Sequence, residues 1–439
     1  MEDNSQIKLK KNLKESSHLS NSRKLTKKEK RKNKNSFNKA SLLINNKIIK
    51  PEISNNNSDN NNNNNNNKDN KQIKKERNPG IDLVRLLTQF NIVVIHVLNF
   101  RNIYKYFYRH ERVLRLIESF MDWHNNAFIL ISGIVGYKTN KYANLFYLWL
   151  IVVFYSIGIP NYVSQYEKSF RRNQDINQIN YPMVFYLYWY FSTYFGMYLF
   201  LPVINKGIAQ LSRYEFTLVV MSTIGILVLW KDYKNKKSDV FHLIGGNSVI
   251  WFLIFYLTGA YIGKYRVNYN GFKKYIYCLI SGSIFIIASY LYFKIYIGEF
   301  YFLIGNKKIE IPIIFRQMFS KSLNSVLKIT QSISICLFFM QIHYNKYIAK
   351  IICFFGPLAF SIYLIYTNQI IAHNYISPLL VHQPRNISLK PLLSFLFIKT
   401  FIICLTSLII DYFRHLFFTF LRIKKILLII ETAMKEKLS

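Results

Sequence analysis

The polar side chains that interrupt the apolar run from Ile81 to Phe100 include Asp82, Arg85, Gln89, His96 and Asn99. Arg85 and His96 are eleven positions apart. On a helix that is close to three full turns, so the two share a face about 16 Å apart along the axis. Gln89 and Asn99 fall near the same face, and Asp82, three residues before Arg85, can pair with it. An imidazole changes charge near neutral pH and can take or give a proton. A guanidinium is permanently charged and grips anions through its fork of N–H groups. The stripe therefore has the parts for proton transfer beside an anion site. It also admits a plainer reading, in which Arg85 snorkels to the headgroups and His96 bonds a neighbouring helix. Spacing alone names no reaction.

What must hold this stripe is a membrane. Of the 439 residues, 51% are hydrophobic and 17% aromatic, and few of these fall in the first 77 positions. From residue 81 onward long uncharged runs alternate with short basic connectors, and 142–166, 176–205, 240–263 and 351–384 contain no Asp, Glu, Lys or Arg. About 20 apolar residues cross a bilayer as a helix, and a helix satisfies its backbone inside lipid. The pattern predicts an all-α, polytopic bundle of about ten spans, with centres near residues 91, 129, 152, 193, 223, 254, 285, 336, 365 and 402. Charged or polar groups within such spans are costly and mark function or helix contacts.

Residues 1–77 are polar and rich in Lys and Asn, with an unbroken Asn tract at 60–67. Such a stretch buries too little apolar surface to order itself, so a disordered tail is expected before a membrane domain at 78–413. No apolar core follows the first basic residues, so the first span would itself direct insertion. Residues 311–328, with Arg316, Lys321 and Lys328, read as an interfacial helix, and 414–439 as a basic amphipathic tail on the membrane surface. The basic residues just before the first span argue for a cytosolic N-terminus; a sequon at Asn386-Ile387-Ser388 agrees with that side.

The net charge of +36 invites a nucleic-acid reading, but the lysines lie in the tail and loops and no recognition module is present. Anionic lipid headgroups are the better partner for a polybasic tail beside a membrane. The four cysteines sit in apolar runs without metal-ligand spacing, as small buried hydrophobes do. No metal is expected. Arg112-Val-Leu-Arg115 reads as a solvated face of a basic loop.

The stretch Gly80-Ile-Asp82-Leu-Val-Arg85, followed by ten residues and His96, resembles the opening motif of the acyltransferase type 3 membrane family. Further segments resemble that family's landmarks in order. These are Phe128-Ile-Leu-Ile-Ser132-Gly133, the run from Trp189 to Pro202, Phe255-Tyr-Leu-Thr-Gly259-Ala-Tyr-Ile-Gly263, and Phe360-Ser-Ile-Tyr363-Leu-Ile-Tyr366. In the last, Tyr366 stands where many members have His, and Ser361 where many have Gly. The resemblance spans roughly residues 78–412.

The resemblance implies transfer of an acyl group, often acetyl, from acyl-CoA to a hydroxyl of a carbohydrate or lipid acceptor. In that reaction His96 would be the general base and Arg85 would hold phosphates of the acyl-CoA. With a cytosolic N-terminus, a pantetheine arm could lie between Arg85 at the cytosolic mouth and a thioester at His96, about three turns deeper. Gln89, Asn126, Ser132, Trp189 and Tyr194 are further candidates for substrate binding, although helix packing and interfacial placement explain such residues equally well. Two other readings remain. One is a transporter or flippase, since intramembrane Arg and His also couple protons, but no inverted repeat is visible. The other is a non-catalytic member of the same fold, motivated by Tyr366.

Overall fold

A computed structural model of the chain describes residues 77–99, 103–139, 142–166, 188–229, 241–266, 269–299, 301–304, 307–310, 322–368, 371–372, 376 and 387–438. The expected disordered tail and its Asn tract lie outside these residues, as do 311–321 of the expected interfacial helix and Asn386 of the sequon. The one tail residue described, Arg77, belongs with the membrane domain, because its guanidinium reaches Asp82 with two bonds of 2.5 and 2.7 Å.

The first long helix, α1, spans Pro79–Asn99. Asn78 caps it, its side-chain oxygen accepting from Gly80 N–H at 2.8 Å, and Pro79 occupies the first turn where no N–H is needed. The cap also fixes tertiary position, since Asn78 Nδ2 donates to the Met340 carbonyl at 3.1 Å. After α1 come α2 (Glu111–Met121), α3 (His124–Gly136), α4 (Tyr142–Tyr166), α5 (Trp189–Gln210), α6 (Arg213–Leu229), α7 (Val249–Tyr265) and α8 (Phe272–Tyr296). An antiparallel hairpin follows, β1 (Tyr301–Ile304) pairing with β2 (Lys307–Glu310). The chain ends with α9 (Val326–Gln341), α10 (Lys346–Phe355), α11 (Ala359–Tyr366), α12 (Leu389–Phe420) and α13 (Ile423–Leu438). The fold is thus helical as expected apart from the hairpin. Its two strands are separated in sequence by only Gly305-Asn306, a pair that favours a tight turn.

Five helical segments are long and apolar enough to cross a membrane: α1, α4, α8, the combined α10–α11 stretch Lys346–Tyr366, and α12. All ten expected centres fall within helices, but the others are shorter or more polar, so length and composition establish five spans. Helices α8 and α12 turn Leu279, Ile286, Ile287, Phe401, Ile409 and Phe413 outward. Apolar faces on that scale belong against lipid. The chain is an integral membrane protein.

Helix α3 packs closely on α7, and glycine makes the approach possible. A Cβ on Gly133 would stand 2.1 Å from the Tyr256 carbonyl oxygen, and one on Gly259 2.1 Å from that of Leu130. Small residues at such crossings let backbones meet inside a membrane. Pro202 lies inside α5 and does not end it. Bonds between helix ends set the alternation. Lys264 of α7 donates to the Ile208 and Leu211 carbonyls at the end of α5, and Asn205 of α5 donates to the Gly136 and Thr139 carbonyls at the end of α3. His110, past α1, meets the Ile387 carbonyl just before α12. The starts of α1 and α4 and the ends of α3, α5, α7, α9 and α12 consequently share one side.

There is no break at 413/414. Helix α12 runs on to Phe420, and Arg414, expected in the surface tail, is only 4% exposed. Its partner Asp411 one turn earlier draws it inward. Helix α13 then carries exposed Ile426, Ile429 and Met434 among lysines.

Candidate active site

Within α1, Asp82 is fully buried and His96 is exposed, although the residues on both sides of His96 are buried. The exposure of His96 faces a cavity of about 820 Å³. That volume lies in the range of small-molecule sites, roughly 300–1,000 Å³. Gln89 and Asn99 join His96 on the cavity wall, as their helical spacing predicts. Neither ring nitrogen of His96 has a hydrogen-bond partner among the described residues. Its ring meets that of Tyr366 of α11 edge-on, with centroids 5.4 Å apart. An imidazole held by packing and otherwise unbonded is available to an incoming hydroxyl.

Other parts of the lining come from elements distant in sequence: Asp122, His124 and Asn125 around the start of α3, with Asn247, Ser322 and Lys328. Lys328 is 3% exposed and pairs with Asp122 at 2.6 Å, while Tyr292 of α8 donates to the same carboxylate at 2.8 Å. A buried ammonium would be costly alone, and this pairing, with the Tyr292 bond to the same carboxylate, offsets part of that cost. Lys328 therefore belongs to the core of the site, not to an interfacial helix. His124 Nδ1 lies 3.2 Å from the Met121 carbonyl.

Arg85 does not line this cavity. Asp82 accepts from its Nη1 at 2.7 Å, three residues away, and holds it near the start of α1. Asp82 itself is fixed from two sides, by Arg77 and by the tight seat of Gly356, where a Cβ would lie 2.5 Å from Asp82 Cβ. The side chain of Arg85 keeps 23% of its surface open, and its other N–H groups have no hydrogen-bond partner among the described residues. Tyr194 lies close enough to sense the Arg85 charge and to reach the Ser132 hydroxyl.

The remaining expected contacts divide. Trp189 lines the cavity. Asn126 does not, and its amide is engaged at both ends, donating to the Leu323 carbonyl at 2.6 Å and accepting from Trp251 Nε1 at 3.1 Å. Ser132 donates back to the Phe128 carbonyl in its own helix, beside the Gly133 crossing. The Phe-to-Gly133 and Gly259-to-Gly263 landmarks are therefore packing devices first. Arg115 is not a solvated residue either. Its guanidinium lies 3.7 Å from the Tyr104 ring centroid and 4.8 Å from that of Tyr296, with Glu111 and Glu118 as ion-pair partners. Arg112 does face outward and pairs with Glu299 at 2.8 Å.

Sequence reasoning missed Asp122, His124, Asn247, Ser322 and Lys328 as site residues. One signal was present, since the cluster Asp122, His124, Asn125 and Asn126 precedes an apolar run in which polar groups need a reason. Among the described residues no group of three His, Cys, Asp or Glu is placed to hold a metal ion.

No curated protein and no solved structure matches the chain. The family model for an acyltransferase domain matches residues 78–411. That span contains α1 through most of α12 and every residue of the cavity, and it decides for an enzyme over a transporter. The chain is thus an integral membrane protein that belongs to the acyltransferase type 3 family.

Proposed function

We propose that the protein transfers an acyl group, acetyl in the first place, from acyl-CoA to a hydroxyl of a carbohydrate or lipid acceptor, with His96 as general base. The observation that carries this reading is an imidazole open to a cavity of about 820 Å³, with both ring nitrogens unbonded among the described residues. In the step, His96 accepts the acceptor's hydroxyl proton as the oxygen attacks the thioester carbonyl. The C–O bond forms, the C–S bond breaks, and the proton passes to the departing thiolate. A positioned base of this kind contributes about 10²–10⁴ in rate.

Arg85 serves the acyl-CoA. Its unbonded N–H groups suit phosphate oxygens, and Asp82 with Arg77 keeps it oriented without using it up. Gln89, between Arg85 and His96 on α1, lies along the path of an extended pantetheine arm. The Tyr366 departure is compatible with activity in this reading, because Tyr366 packs its ring against His96 and leaves both imidazole nitrogens without a bond to it. The support for the cytosolic placement of the N-terminus is electrostatic. Lys206, Arg213, Lys264, Arg266, Lys346 and Arg422 all belong to helix ends on the side of Pro79, and basic residues concentrate on the cytosolic side of membrane proteins. Ten passes follow if α3, α5, α6, α7 and α9 cross alongside the five long segments.

The test is purified protein in detergent with labelled acetyl-CoA and a pool of glycan and lipid acceptors. Label should move to an alkali-labile ester, and CoA should be released in step with it. Absence of both CoA binding and CoA release would contradict the reading.

A further inference from the structure

The cavity holds a second imidazole. His124 opens α3, is 5% exposed, and lines the same cavity as His96. It is close enough to His96 to sense its charge. The two rings are held differently. A carbonyl oxygen can only accept, so the 3.2 Å contact with Met121 requires the proton to sit on Nδ1 of His124. In the neutral ring the other nitrogen, Nε2, is then a hydrogen-bond acceptor and cannot donate. Nothing described bonds to it. His96, tied at neither nitrogen, is free to take a proton at one and give one at the other. His124 has no such freedom and can only receive.

We propose that His124 Nε2 binds a second hydroxyl of the acceptor, one not acylated, and so selects polyhydroxylated acceptors over simple alcohols. The inference rests on the reading of the cavity as an acyl-transfer site. The fixed Nδ1–H makes Nε2 complementary to an O–H and to no carbonyl, ether or phosphate oxygen of a ligand. Asn125, next in sequence, and Asn247 and Ser322 on the same opening supply further polar groups of the kind that hold a polyol, and Trp189 offers an aromatic face. Lys328 and Asp122 neutralise each other at 2.6 Å beside them, so the wall presents dipoles in place of net charge. A neutral, hydroxyl-rich molecule fits such a wall. A site built to bond a hydroxyl discriminates strongly against an analogue that lacks it, because its own polar group is then left unpaired.

The test uses the full chain in detergent with labelled acetyl-CoA and two acceptor probes of similar length, octyl glucoside and 1-octanol. Wild type, His124→Leu, His124→Gln and His96→Ala are compared. Wild type should prefer octyl glucoside by about tenfold or more in kcat/KM, on the order expected for one hydroxyl contact. His124→Leu should lose about that factor with octyl glucoside, mainly in KM, and change octanol less than about twofold. His124→Gln, whose amide oxygen can accept, should recover part of the loss and guards against misfolding of the Leu variant. Equal losses on both probes, or no loss on either, would overturn the assignment of His124 and leave His96 untouched. Transfer retained in His96→Ala, or no transfer to either probe by wild type, would overturn the underlying reading of the cavity instead.

Discussion

Two spans carry an Asp and an Arg three residues apart, Asp82–Arg85 in α1 and Asp411–Arg414 in α12, and they do opposite things. In α12 the pair is closed. Arg414 gives Nε and Nη2 to the two oxygens of Asp411 at 2.7 and 2.8 Å, Tyr155 of α4 donates to the same carboxylate at 2.7 Å, and Tyr147 lies 3.4 Å from Nη1. Both charges are almost fully buried, and together they pin α4 to α12. In α1 the carboxylate is shared with a second cation, Arg77, and Arg85 spends one N–H group on it. The same spacing makes a saturated staple in one place and an anchored but unfilled cation in the other. What separates them is the neighbourhood. Two tyrosines complete the α12 pair, whereas Gly356 and Arg77 hold Asp82 so firmly that Arg85 is left over.

That contrast can be broken at either end. Asp411→Ala should have the largest structural effect. It leaves Arg414 buried without its carboxylate, a loss of about 3–5 kcal/mol for a buried pair cut on one side. The readout is thermal unfolding in detergent, with CoA binding by the fraction that still folds unchanged. Arg85→Ala should behave in the reverse manner. Asp82 keeps its two bonds to Arg77, so stability should fall by less than about 1 kcal/mol. Loss of hydrogen bonds to a charged ligand group is worth about 1.5–3 kcal/mol, so the KM for acetyl-CoA should rise by about ten- to a hundredfold. If Arg85→Ala instead unfolds the protein and spares KM, the two pairs are both staples. Tyr155→Phe sharpens the comparison at the small end. It removes one hydrogen bond from the closed pair and should cost about 1 kcal/mol, visible in the unfolding midpoint and invisible in transfer kinetics.

Much of α1 was legible from spacing. The eleven-residue interval predicts a shared face for Arg85 and His96, and His96, Gln89 and Asn99 do line one cavity. Arg85 falls outside it because Asp82 draws its guanidinium toward the helix start, a local ion pair that the same sequence contains but whose dominance it does not rank. The rest of the lining was illegible for a different reason. Lys328 and Asp122 lie about two hundred residues apart, and a lysine at the start of an apolar run looks like an interfacial anchor until its partner is known. Asn126 and Ser132 show the converse case. Polar residues at motif positions suggested substrate contact, yet their bonds go to Leu323, Trp251 and Phe128. The helices were readable as apolar runs, and five of them are long and apolar enough to cross a membrane. The close approach of α3 and α7 was not readable, since it is a glycine crossing between elements more than a hundred residues apart.

The account stands on His96 as the group that takes the acceptor's proton. The most direct measurement is a pair on one variant, His96→Ala: acetyl-CoA binding by calorimetry and acetyl transfer by label incorporation. Binding should match wild type within about twofold, while transfer falls by about 10²–10⁴, the range of a positioned general base. Transfer at the wild-type rate would contradict the account.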